Sequence, residues 1–145
     1  MANTTSFSPD SLVPARFLTL LANLIILILA LWSRDGNVTA SLPVGFEEDE
    51  YYSKDKEITV GLSLGITAIA IELLGFFSGI SMFRTSISLF SIFLHGLACL
   101  ATSQWLLQSW HSSTYWLIFM VCSLLPATIE AVTIVGSFIG SSKEF

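Results

Sequence analysis

Four apolar runs joined by short polar links constrain this chain more than any other feature. They cover residues 14–33 (most apolar over 17–32), 58–83, 87–107 and 115–139. A helix rises ~1.5 Å per residue and needs about 20 residues to cross ~30 Å of hydrocarbon, so the last three runs clear a bilayer and the first reaches with its flanks. Helices are required, because an open sheet leaves backbone groups unpaired in lipid. The expected fold class is an all-α integral membrane protein, with four transmembrane helices in an up-down-up-down bundle. It forms a single membrane domain over residues 1–145 with no soluble domain, and the short links predict that consecutive helices are antiparallel neighbours. Composition agrees: 12% of residues are charged, against about 25% in a soluble domain. The first run follows Arg16 without a small-residue cleavage pattern, which predicts a retained signal-anchor.

Most of the charge lies in the links. Seven of the eleven acids fall in the longest link, residues 34–57. That predicts an acidic, solvated loop with Glu47, Glu48, Asp49 and Glu50 at its tip, and it excludes a basic nucleic-acid footprint. The acid run lacks the alternating ligands of a calcium loop. Cys99 and Cys122 lie inside apolar runs and read as buried thiols.

Basic residues leave the orientation balanced, with Arg16, Arg84 and Lys143 on one side and Arg34, Lys54 and Lys56 on the other. Asn37-Val38-Thr39 is a glycosylation sequon, usable only if the first loop is lumenal. It favours cytosolic termini and makes Asn37 a candidate glycosylation site. A second sequon, Asn3-Thr4-Thr5, would then face the cytosol unused.

The spans themselves are not wholly apolar. Asn23, Glu72, His95 and Glu130 place one strongly polar residue near the middle of each, and helix rise puts them at similar depths with Glu72 and Glu130 nearly level. This is a candidate intramembrane polar layer. No Lys or Arg is expected within reach of it, so at least one of the two carboxyls is expected to be protonated, since desolvation disfavours the charged form. In the second span Gly61, Gly65, Ala68, Glu72, Gly75 and Gly79 recur at spacings of three and four, with two G-x-x-x-G motifs. Gly136 and Gly140 make a third, and Pro126 predicts a kink one turn before Glu130. These glycines form a candidate helix-packing or partner face, because small residues let helix backbones approach closely in lipid.

The polar layer fits hydrogen-bonding between helices. It also leaves open a small transporter or a proton- or ion-conducting bundle using Glu72, His95 and Glu130. Against conduction, the chain has few spans and no internal repeats. No G-x-S-x-G, H-E-x-x-H or P-loop occurs, so no catalytic residue, cofactor or metal site is expected. Tetraspanins and claudins carry loop cysteines that this chain lacks.

Long gap-free strings resemble one family, the ciliary transition-zone protein transmembrane protein 107. They are Leu12-Val13-Pro14-Ala15-Arg16-Phe17-Leu18-Thr19-Leu20-Leu21-Ala22, Trp32-Ser33-Arg34-Asp35 and Glu72-Leu73-Leu74-Gly75-Phe76-Phe77-Ser78-Gly79-Ile80-Ser81-Met82-Phe83. Thr114-Tyr115-Trp116-Leu117-Ile118-Phe119 and Leu125-Pro126-Ala127 extend the likeness into the last span. The resemblance implies a non-enzymatic membrane scaffold at the base of the primary cilium. It would help assemble the Meckel- and Joubert-associated transition-zone complex, support ciliogenesis and gate ciliary membrane composition. The implied partners are the lipid bilayer and other transition-zone membrane proteins, with cytosolic termini; self-association is left open. Residues 1–9 depart from the family pattern.

Overall fold

The computed structural model describes residues 9–82 and 84–142; the Asn3 sequon and Lys143 lie outside them. Helices run α1 Pro9–Trp32, α2 Asp35–Ala40, α3 Glu48–Phe77, α4 Thr85–Leu107, α5 Ser112–Phe119 and α6 Leu125–Ser142. A π-helical turn, Met120–Leu124, joins α5 to α6. Four helical stretches, Asp10–Trp32, Glu48–Phe77, Thr85–Leu107 and Ser112–Ser142, are long and apolar enough to span a membrane. The described residues contain no strand.

Each span buries one stripe. On α1 the buried residues are Leu12, Arg16, Leu20, Asn23, Leu27 and Ala30, spaced by threes and fours as one face of a helix requires. The stripe on α4 carries Ser88, Ser91, His95, Ala98, Thr102 and Trp105. The last span buries Ser112, Tyr115, Phe119, Cys122, Ser123, Pro126, Ala127 and Glu130. Beyond Glu130 none of the described residues of α6 is buried. Pro126 supplies no N–H to the turn before it, and the π turn is where the backbone absorbs that loss.

Two expectations need correction. First, the acidic segment 34–57 is mostly ordered helix. Glu47 caps α3: its side chain accepts from the backbone at Glu50, while the Glu50 carboxylate accepts from the Glu47 N–H at 3.1 Å. Acids at this end also oppose the positive pole of the helix dipole. At ~1.5 Å per residue the 30 residues of α3 make about 45 Å, so its first turns stand clear of the hydrocarbon.

Second, consecutive helices are not always neighbours. α1 packs on α4 and α3, and the fourth span packs on α3 and α4, whereas α3 and α4 lie across the bundle from one another. α3 stops at Phe77 rather than at residue 83, with Gly79 in a turn at φ +78. The link is therefore longer than the sequence suggests, long enough for the chain to cross the bundle.

The loop-side end is closed by side-chain to backbone bonds. Asn37, fully buried, donates from Nδ2 to the carbonyls of Trp105 (2.8 Å) and Trp110 (3.0 Å). Ser41 Oγ accepts from the Ser112 N–H at 2.8 Å, which ties the first loop to the start of α5. Arg34 grips Asp55 through Nε (2.6 Å) and Nη2 (3.1 Å), and that carboxylate raises the guanidinium pKa above its usual value.

Asn37 is therefore a structural residue. The nitrogen a glycan would occupy is inaccessible and already makes two bonds, so a glycan there is incompatible with this packing. Asn37→Ala is expected to cost roughly 1–3 kcal/mol, because it takes the donor from the Trp110 carbonyl and one of two donors from the Trp105 carbonyl. Chemical denaturation of the purified protein measures that loss. Glycosidase treatment of the wild type is expected to leave its gel mobility unchanged; a mobility shift that Asn37→Gln abolishes would defeat this assignment.

Candidate intramembrane polar site

The polar residues are brought together in two arms, each bridging one diagonal of the bundle. The deeper arm joins α1, α4 and α3. Asn23 Nδ2 donates to His95 Nδ1 at 3.0 Å, and His95 Nε2 meets Glu72 Oε2 at 2.8 Å. All three side chains are buried. Asn23 and His95 sit on parallel neighbours, while His95 and Glu72 reach across the diagonal that the helix backbones leave open.

The second arm joins α1, the α3–α4 link and α6. Arg16 Nη2 donates to Glu130 Oε2 at 2.9 Å, and both side chains are only 1% exposed. Arg16 Nη1 donates to Ser81 Oγ (3.1 Å) and to the Ser81 carbonyl (3.3 Å). The guanidinium lies 5.6 Å from the centre of the Phe76 ring, within cation–π range. Arg16 lies seven residues before Asn23 on the same stripe, so the arms are separated by about 10 Å along α1.

This arrangement corrects the expectation that no cation lies within reach of the carboxyls. Arg16 reads as a flank because it stands at the start of the apolar run. A signal was nevertheless present: Arg16, Leu20, Asn23 and Leu27 keep the three-and-four spacing that places all of them on the packed face. The single layer of four residues is likewise two layers. Glu130 groups with Arg16 and Ser81, and Glu72 groups with His95 and Asn23.

The candidate glycines divide by position. A Cβ on Gly75 would fall on the Glu130 carboxyl, 2.8 Å from its Cδ. Gly61 and Gly65 receive Tyr115, whose hydroxyl donates to the Gly61 carbonyl at 2.8 Å. Tyr115 in turn packs against Trp105, with ring centres 5.3 Å apart. These three glycines are the close-approach points of α3 with the last span, and their missing side chains let a ring and a carboxyl reach the helix backbone. Gly79 is not on that face: it lies in the turn after α3, where its positive φ favours glycine. A Cβ added at Gly136 or Gly140 would meet nothing within 4 Å among the described residues.

In chemical terms, the site is a charged pair and a histidine–carboxylate pair buried between helices. Among the described residues, no three His, Cys, Asp or Glu side chains converge as a metal set would.

Comparisons agree with the sequence strings. Residues 12–134 match the family model of transmembrane protein 107 (TMEM107), described as a transmembrane protein. The chain is 47% identical over 120 residues to transmembrane protein 107 of Danio rerio, covering 83% of this chain and 89% of that one. It is 45% identical over 136 residues to the Homo sapiens protein of the same name, covering 94% and 97%. The Rattus norvegicus protein is 43% identical with the same coverage. No solved structure matches. A family match spanning most of the chain, together with relatives matched nearly end to end, establishes that this chain belongs to the transmembrane protein 107 family.

Proposed function

We propose that the protein is a non-enzymatic membrane scaffold of the ciliary transition zone, with both termini cytosolic. In this reading it helps assemble the transition-zone membrane complex and so serves ciliogenesis and the gating of ciliary membrane composition. Family membership supports the reading, through the role that the resemblance implies. The observation that carries the scaffold character is that the membrane-embedded polar side chains bond to one another across the bundle. Arg16 bonds Glu130 and His95 bonds Glu72, each pair bridging helices that lie across the bundle. Buried polar groups used in this way fix helix positions and leave the outer faces for lipid and partner helices. We assign the partner-facing role to the free end of α6, where Gly136 and Gly140 are open.

The test uses the tagged full-length protein in ciliated cells. Signal at the ciliary base and co-purification of other transition-zone membrane proteins are expected. Tags at Met1 and Phe145 should bind antibody only after permeabilisation, and a tag near Glu48 should bind it on intact cells. Uniform plasma-membrane signal without co-purifying partners would refute the scaffold role. Proton or ion flux in liposomes that depends on Glu72 would move the function to conduction.

A further inference from the structure

The two carboxyls of the core are not chemically equivalent. Glu130 Oε2 faces the Arg16 guanidinium, which cannot lose its proton in a protein, so this carboxyl has a permanent counter-charge. Among the described residues, the Glu72 carboxyl bonds only His95. An amide nitrogen can only donate, so Asn23 Nδ2 makes His95 Nδ1 an acceptor; the ring proton is then on Nε2, directed at Glu72 Oε2, and the ring is neutral. With both carboxyls ionised, Arg16 (+1), Glu130 (−1), Glu72 (−1) and neutral His95 (0) would sum to −1 inside the bundle.

The hydrogen bonds point the same way. Among the described residues, Glu72 Oε1 and Asn23 Oδ1 on this arm are buried oxygens that accept no hydrogen bond; Glu130 Oε1 on the other arm is also open, but its carboxylate has the Arg16 charge. Each belongs to a side chain no more than 3% exposed. The Asn23–His95–Glu72 arm thus leaves two buried acceptor oxygens open and is one positive charge short. A bare carboxylate in a medium of low dielectric is strongly unfavourable without a partner charge.

We infer that Glu72 Oε1 is the binding position for one further positive charge, either a proton or a small monovalent metal cation, while Glu130 remains a carboxylate paired with Arg16. A proton taken from water by Oε1 makes Glu72 a neutral acid and provides the missing donor. A sodium-class ion would instead neutralise the carboxylate directly. Either occupant brings the interior to zero net charge, and Asn23 is the positioning residue that fixes the His95 tautomer. The inference concerns the built-in charge state of the bundle and is independent of the ciliary assignment.

Three measurements on the purified full-length protein test it. In the infrared, a protonated-carboxyl carbonyl band that disappears in Glu72→Gln and persists in Glu130→Gln identifies a proton. A wild-type Tm higher in sodium chloride than in N-methyl-D-glucamine chloride, with the difference gone in Glu72→Gln, identifies a metal cation. In both cases Glu72→Gln, which is neutral and of the same shape, should keep the wild-type Tm reached with the site occupied, whereas Glu130→Gln should lower it by stranding Arg16. Neither band nor cation effect, or a Glu72→Gln protein that is as unstable as Glu130→Gln or fails to fold, overturns the proposal.

Discussion

Arg16→Leu is expected to destabilise the bundle by about 3–5 kcal/mol, since removing one member of a buried ion pair strands the other. Glu130 would be left in the interior without its cation, and Ser81 would lose the donor that ties the α3–α4 link to α1. The effect should be far larger than the ~0.6 kcal/mol average for hydrogen bonds between membrane helices, because a charge and not a neutral dipole is uncovered. Arg16→Leu/Glu130→Leu is expected to recover most of the loss, because apolar replacement of a whole buried pair is often close to neutral. Unfolding free energies of the single and double variants in detergent form the cycle that measures this. If Arg16→Leu is neutral, or if the double variant is no better than the single, the ion pair does not hold the fourth span.

Gly75→Leu is expected to produce the second large effect through the same pair. Adding only a Cβ already meets the Glu130 carboxyl, so a branched side chain must push α6 outwards or turn Glu130 away from Arg16. Overpacking alone costs typically ~1–3 kcal/mol, and displacing the carboxylate adds to it. Gly136→Leu is the matched control on the last span. Among the described residues nothing stands within 4 Å of a Cβ added there, so folding should be unchanged, while the proposed scaffold role predicts weaker co-purification of transition-zone membrane proteins. Detergent melts of the two variants decide the matter. Equal stability for both would show that α3 and α6 do not meet at Gly75.

The number of spans, their helical character and the inward-facing stripes were all legible in the residues. A bilayer leaves the backbone few options, and runs as long as 58–83 satisfy its thickness unaided. The glycine spacing on α3 was legible for the same reason, since three- and four-residue steps put Gly61, Gly65 and Gly75 on one face whatever they meet. What they meet was not. Tyr115 and Glu130 come from the far end of the chain, and no periodicity in α3 names its neighbour.

Partnership among the polar residues was likewise decided by the tertiary structure. The sequence alone put Asn23, Glu72, His95 and Glu130 in the membrane, because helix rise converts residue count into depth. It could not show which two share a diagonal, because that depends on how the helices are ordered around the bundle. α1 lies between α3 and α4, and this alone delivers Arg16 to Glu130 and Asn23 to His95. The sequon of Asn37 makes the same point: a three-residue pattern is local, and burial beneath Trp105 and Trp110 is not. Local rules fix what each helix is made of and which residues fall within the spans, while the two levels at which the polar residues pair emerge only from the bundle. Pairing between helices rests on contacts between residues far apart in sequence, as with Arg16 and Glu130, and only the folded bundle specifies them.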